Sequence, residues 1–141
     1  MKKYENVKID IVVPPYSGHL YPILELIKPL LKEEKYDICI YTGAQRKMFL
    51  KNMWIKCKVV LEDRPTFFED VANTAEKTNA FVSYSQFKKN LKVIPDIVKE
   101  LELGFKERNP DIIVADFVAV PAGVIAKKMG IPWITAIPTP F

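Results

Sequence analysis

The sequence predicts an α/β protein: a doubly wound, Rossmann-like parallel sheet of about five strands in the order 3-2-1-4-5. Three observations carry this expectation. Short apolar runs alternate with longer segments whose apolar residues recur every three or four positions. The first run, Lys8 to Pro14, is short and mainly apolar, as in a parallel strand buried on both faces. The alternation of strand and helix extends along the whole chain, which implies a sheet covered on both sides by right-handed crossovers.

The first strand is the run Lys8 to Pro14 (KIDIVVP), closed by two prolines. Leu20, Ile23, Leu24, Ile27 and Leu31 then follow at helical steps, so a helix begins near Ser17 or Gly18. Pro22 is tolerated in a first turn, whereas Pro29 is expected to kink or end the helix around Glu25 to Lys28. Asp37 to Thr42 (DICIYT) is the second strand, and Gly43 turns the chain. A short helix over Gln45 to Trp54 and a third strand at Lys56 to Leu61 come next. From Glu62 to Gln86 the one regular signal is a capping box, Thr66 with Glu69, ahead of a helix at Asp70 to Lys77. The rest of that stretch reads as loop.

Leu91, Ile94, Val98, Leu101 and Phe105 define a long amphipathic helix that ends before Asn109 and Pro110. Asp111 to Ala115 (DIIVA) is the fourth strand, closed by Asp116. Ala122, Ile125, Ala126 and Met129 mark a helix stopped by Gly130 and Pro132, and Trp133 to Ile137 is the fifth strand. The chain stops at Phe141, where a parallel sheet ordinarily continues into covering helices. The expectation is one incomplete amino-terminal domain over residues 1–141.

Composition narrows the function. With 141 residues, 49% hydrophobic and 27% charged, the chain describes one globular domain with a real core. Neither a signal peptide nor a membrane span is expected, and a cytoplasmic location is the default reading. The formal charge of +4 comes from scattered lysines rather than an arginine-rich stripe, which argues against nucleic-acid binding and leaves weak contact with an anionic membrane surface open. Cys39 and Cys57 lie in separate apolar segments and read as buried small hydrophobes.

In open parallel sheets the reactive crevice lies at the carboxyl ends of the strands, where the strand order reverses. For order 3-2-1-4-5 that point lies between strands one and four. The loop after strand one holds the one histidine of the chain, His19, and strand four ends at Asp116. Topology therefore brings the two together as a candidate dyad: a histidine at a helix start, with a carboxylate to stabilise the imidazolium formed when it takes a proton. Either residue also has an ordinary structural reading, the aspartate as a cap for the following helix. Gly18 allows a close approach to a ligand or a neighbouring loop. There is no G-x-G-x-x-G, no P-loop, no G-x-S-x-G and no D-x-D or ligand cluster, so neither dinucleotide, metal nor cofactor is expected. Tyr16, Tyr21, Phe67, Phe68, Phe81, Tyr84 and Phe117 are candidates for an apolar small-molecule pocket beside the crevice, with Ser17 and Gly18 at the helix start.

The segment Val13 to Leu26 (VPPYSGHLYPILEL) resembles the first strand, loop and helix of GT-B glycosyltransferases of the UDP-glycosyltransferase and macrolide glycosyltransferase type, with Gly18, His19, Pro22 and Leu26 in the matching places. Asn109 to Phe117 (NPDIIVADF) and Lys127 to Ile134 (KKMGIPWI) are similar to the family's Pro-Asp-apolar-Asp strand and Gly-Ile-Pro step. The resemblance implies that His19 deprotonates an acceptor hydroxyl, that Asp116 orients it, and that the oxygen attacks a nucleotide sugar with inversion and without a metal. It also implies that a carboxyl-terminal domain or subunit outside residues 1–141 holds most of the donor, and that the isolated chain is inactive. Two readings from other classes stand beside it: a noncatalytic Rossmann-like module for an apolar small molecule or partner protein, and a stand-alone nucleotide-binding enzyme of flavodoxin-like layout.

Overall fold

Alternate residues of the first strand face opposite ways, and Ile9 to Val13 are buried on both faces, as expected of a strand at the centre of the sheet. β1 (Val7–Val12) pairs in parallel with β2 (Tyr36–Thr42) on one side and β4 (Ile112–Asp116) on the other. β3 (Lys56–Val59) extends the sheet beyond β2, and β5 (Trp133–Ala136) beyond β4. All pairs are parallel and the order is β3-β2-β1-β4-β5, as the sequence predicts. Register is fixed through Ile9, which lies opposite Ile38 and Ile112. The computed structural model describes residues 6–75 and 79–137.

Two cores sandwich the sheet. Ile9, Ile11, Ile38 and Ile40 pack against α1 (Ser17–Leu31) and α2 (Lys47–Asn52) through Leu20, Ile23, Ile27 and Leu50. On the other face Val12, Cys39, Tyr41 and Ile113 meet α4 (Ala80–Arg108) and α5 (Val120–Met129) through Leu101, Phe105, Ala122 and Ile125. This second face also buries an ion pair. Arg108 Nε donates to Asp10 Oδ1 at 2.6 Å, and the Tyr41 hydroxyl donates to Asp10 Oδ2 at 2.7 Å. Burial raises the Asp10 carboxyl above the ordinary carboxylate range, although Arg108 and Tyr41 pull against it. Gly104 is what lets α4 approach so closely, since a Cβ there would stand 2.6 Å from Tyr41 Cε1.

The helices depart from the sequence reading in four places. α1 runs through Pro29 to Leu31 instead of breaking at Glu25 to Lys28. Proline removes a hydrogen bond to the Glu25 carbonyl, but Glu25 and Pro29 are both exposed, so water can serve that carbonyl, and the helix ends two residues later. α3 (Phe67–Ala75) starts directly after Thr66 rather than at Asp70, and the predicted end at Lys77 lies outside the described residues. The largest correction is at Ala80 to Gln86, expected as loop but forming the first two turns of α4. The Asn79 side chain caps α4 by accepting from the Phe81 amide at 2.9 Å, and the helix continues through Pro95, again on an exposed side. At its carboxyl end Asn109 takes the left-handed conformation, φ 51°, and stops it as expected. The predicted helix at Gln45 to Trp54 is a 3₁₀ turn (Ala44–Arg46) followed by α2.

Candidate active site

β1 ends at the prolines, and Tyr16 in extended conformation starts α1, so His19 sits in the first turn above the carboxyl end of β1. Asp116 is the last residue of β4, the neighbouring strand. Their side chains meet: His19 Nδ1 lies 3.1 Å from Asp116 Oδ1 and 3.0 Å from Oδ2. The Asp116 side chain has no exposure, and that of His19 is 24% exposed. Asp116 Oδ1 also accepts the Val118 amide at 3.0 Å, which fixes the carboxylate plane. A carboxylate only accepts hydrogen bonds, so Nδ1 is the donor, and in a neutral ring Nε2 then carries the lone pair. Phe117 stacks on the imidazole at 5.5 Å between centroids, and Tyr16 meets it edge-on at 6.1 Å. The ring is thus held on two sides and through Nδ1.

His19 also lines a cavity of about 490 Å³ between the sheet end, α3, α4 and the turn into α5. The walls are mainly apolar. Of the residues singled out from the sequence, Tyr16, Phe67 and Phe68 line it together with His19. The Tyr16 hydroxyl donates to the Phe68 carbonyl at 2.9 Å and ties α3 to the loop before α1, while burial raises this phenol above its usual range. Gly43 admits the same contact from below: a Cβ would stand 2.7 Å from Pro15 Cγ and 2.8 Å from Phe68 Cδ2.

The other candidates are placed differently. Phe117 packs on the imidazole outside the cavity lining. Ser17 and Gly18 are exposed in the first turn of α1. The close approach expected at Gly18 is not to a neighbouring loop, since a Cβ there meets nothing within 4 Å. Phe81 and Tyr84, 85% and 59% exposed, do not line the cavity either. The sequence reading places both in a loop beside the crevice, whereas the helix holds them outward. Tyr21 packs on Phe49 on the outer side of α1. Sequence reasoning missed the far wall, Asn90, Val93, Ile94 and Ile97 of α4, and the Val118 to Pro121 turn. The helical spacing of the α4 residues was the available signal, but the same spacing describes a core stripe.

A second hollow of about 620 Å³ lies along α4 and the segment after β3, among Glu62, Asp63, Arg64, Asp96 and Glu100. It shares no lining residue with the dyad cavity, and the Arg64–Asp96 pair at 2.6 Å satisfies part of its charge. Among the described residues no group of three or more His, Cys, Asp or Glu is placed to hold a metal ion. Nor is any described helix long and apolar enough to cross a membrane.

The sheet order and flanking helices define a Rossmann-like domain, and comparison with known proteins finds the same fold in glycosyltransferases. The NDP-glycosyltransferase YjiC of Bacillus subtilis (strain 168) is 27% identical over 134 residues, which is 95% of this chain and 32% of that protein. The chain therefore spans about a third of the curated relative it matches. Among solved structures, the glycosyltransferase of kitacinnamycin superposes with a TM-score of 0.69 at 23% identity over 94% of this chain and 30% of that one. CalG4, the calicheamicin glycosyltransferase, gives 0.69 at 17% identity over 97% and 33%. VinC, solved with DTDP, gives 0.65 at 13% identity over 94% and 35%. No protein-family model matches the sequence. The fold is that of one domain of GT-B glycosyltransferases, and the resemblance drawn from the Gly18-His19 and Asn109 to Phe117 segments extends along nearly the whole chain.

Proposed function

We propose that this chain is the acceptor-binding, amino-terminal half of an inverting glycosyltransferase that moves a sugar from a nucleoside-diphosphate sugar to a hydroxyl of an apolar small molecule. The observation that carries this reading is the His19–Asp116 pair, buried at the carboxylate and open at the imidazole, on the lining of an apolar cavity. An acceptor in the cavity presents its hydroxyl to His19 Nε2. The imidazole takes the proton, Asp116 balances the charge, and the oxygen forms a bond to the anomeric carbon while the bond to the nucleoside diphosphate breaks. A single displacement of this kind inverts the anomeric carbon, and the acid–base step needs no metal.

The donor is assigned to a carboxyl-terminal domain or separate subunit outside residues 1–141. The support is that this chain aligns with about a third of a nucleotide-sugar enzyme and of structures solved with nucleoside diphosphates. The test joins the chain to the carboxyl-terminal part of the Bacillus relative and measures transfer from UDP- and dTDP-hexoses to a phenol panel. His19→Ala is expected to lower transfer by roughly 10²- to 10⁴-fold, the usual share of general-base catalysis, with circular dichroism unchanged. Full transfer by the folded His19→Ala protein would overturn the mechanism.

A further inference from the structure

The dyad cavity holds few polar side chains, and their hydrogen bonds separate them sharply. The Tyr16 hydroxyl donates to the Phe68 carbonyl, and the Tyr41 hydroxyl to Asp10. The Thr42 hydroxyl oxygen makes no hydrogen bond among the described residues, but it is buried and offers almost no surface to a ligand. Besides His19, that leaves Asn90. It stands on α4 on the stripe that continues with Val93, Ile94, Ile97 and Leu101, all of which line the same cavity. An amide on an apolar wall is costly to leave without partners. Gln86, one turn earlier, holds one end of it: Gln86 Nε2 donates to Asn90 Oδ1 at 2.9 Å. Among the described residues Nδ2 makes no hydrogen bond, so the two N–H donors of this half-buried side chain are free for a ligand in the cavity it lines.

We propose that Asn90 is a specificity-determining residue of this cavity, donating from Nδ2 to a carbonyl, ether or hydroxyl oxygen of the bound molecule. The preferred ligand is then an apolar body with two oxygen functions: a hydroxyl delivered to His19, and a second oxygen directed to α4. Apolar pockets commonly fix orientation through such isolated polar groups. The inference rests on the acceptor-cavity reading and adds to it the chemistry of the second contact. A purely structural asparagine, held only to cap Gln86, would alter stability when replaced but would not change which ligand the cavity prefers.

The experiment is calorimetric titration of the full chain with two phenols of one shape, 4-hydroxybenzophenone and 4-benzylphenol, which differ by a carbonyl in place of a methylene. The quantity read is the ratio of their dissociation constants, compared between wild type and Asn90→Leu, so that the difference in hydrophobicity cancels. One neutral hydrogen bond corresponds to a shift of roughly three- to tenfold in that ratio, to the disadvantage of the ketone. Asn90→Asp, which keeps the shape but offers a carboxylate, is expected to shift it the same way and guards against misfolding of the leucine variant. An unchanged ratio in both folded variants overturns the inference alone. Phe68→Ala, on the opposite wall, is expected to weaken both phenols about equally. If neither phenol binds wild type, or Phe68→Ala weakens neither, the acceptor-cavity reading falls and this inference falls with it.

Discussion

Asp116→Asn tests the dyad without disturbing the fold, and the outcome follows from three distances. In the wild type Oδ1 accepts the Val118 amide at 3.0 Å, and both oxygens face His19 Nδ1 at 3.0 to 3.1 Å. An asparagine has one oxygen and one NH₂. Keeping the Val118 bond puts the oxygen at the Oδ1 position, 3.1 Å from Nδ1, and the NH₂ at the nearer Oδ2 position, 3.0 Å away. The amide donor facing Nδ1 and the loss of the carboxylate charge both favour the tautomer with its proton on Nε2, in which the lone pair that would deprotonate an acceptor is lost. The opposite orientation leaves the Val118 amide unpaired, a cost of about 1–3 kcal/mol. A hydrogen bond to a charged group is worth about 1.5–3 kcal/mol, so losing it alone lowers transfer roughly 10- to 150-fold, before the wrong tautomer is counted. The assay is direct because the chain has one histidine: nitrogen-15 imidazole spectra of the free protein show which ring nitrogen carries the proton. Wild type is expected protonated at Nδ1 when neutral, and Asp116→Asn at Nε2. The reasoning is refuted if wild type carries the proton on Nε2 or if the variant keeps it on Nδ1.

Gly104→Ala pushes a methyl to 2.6 Å from Tyr41 Cε1, in a ring that is buried and tied to Asp10. Overpacking of about 1–3 kcal/mol is set against a gain in helix propensity of about 1 kcal/mol, so denaturant unfolding is expected to show a net loss of up to about 2 kcal/mol. The Cys39 thiol is pushed up to about 11, chiefly by burial, so at pH 8 only about one molecule in a thousand carries the thiolate. Mass spectrometry after iodoacetamide treatment is expected to find Cys39 unmodified until the chain unfolds, with the half-buried Cys57 labelled first.

What the sequence reveals follows from which side chains have one role. Central strands are apolar on both faces, so Ile9 to Val13 and Ile38 to Ile40 announce themselves, and strand order then brings His19 to Asp116. The start of α4 hides because Phe81, Tyr84 and Phe87 are all exposed, leaving no buried stripe for a periodic reading to find. The proline at 29 misleads in the other direction, since an exposed carbonyl freed by proline can turn to water and let the helix continue. The cavity's far wall stays hidden for a different reason. Val93 is buried in the core and lines the cavity at once, and nothing in an apolar helical stripe tells a wall from a core.

The two fully buried aspartates of the sheet show why burial alone does not mark a site. Asp10 sits in β1, and its oxygens are both engaged within the protein, one by Arg108 and one by Tyr41. Its cationic partner is a guanidinium that stays charged throughout the working pH range, so the pair can hold α4 on the sheet but cannot exchange a proton near neutrality. Asp116 is as deeply buried, and one of its oxygens likewise serves the fold by capping the turn at Val118. Its other partner is an imidazole, partly exposed, that carries a proton on one nitrogen and offers a lone pair on the other. The capping reading of a strand-end aspartate and the catalytic reading are therefore not alternatives here, because two oxygens allow both. Asparagine at 116 can keep the first and removes the charge on which the proposed second depends, whereas asparagine at 10 leaves Arg108 without its counter-charge and acts on the fold.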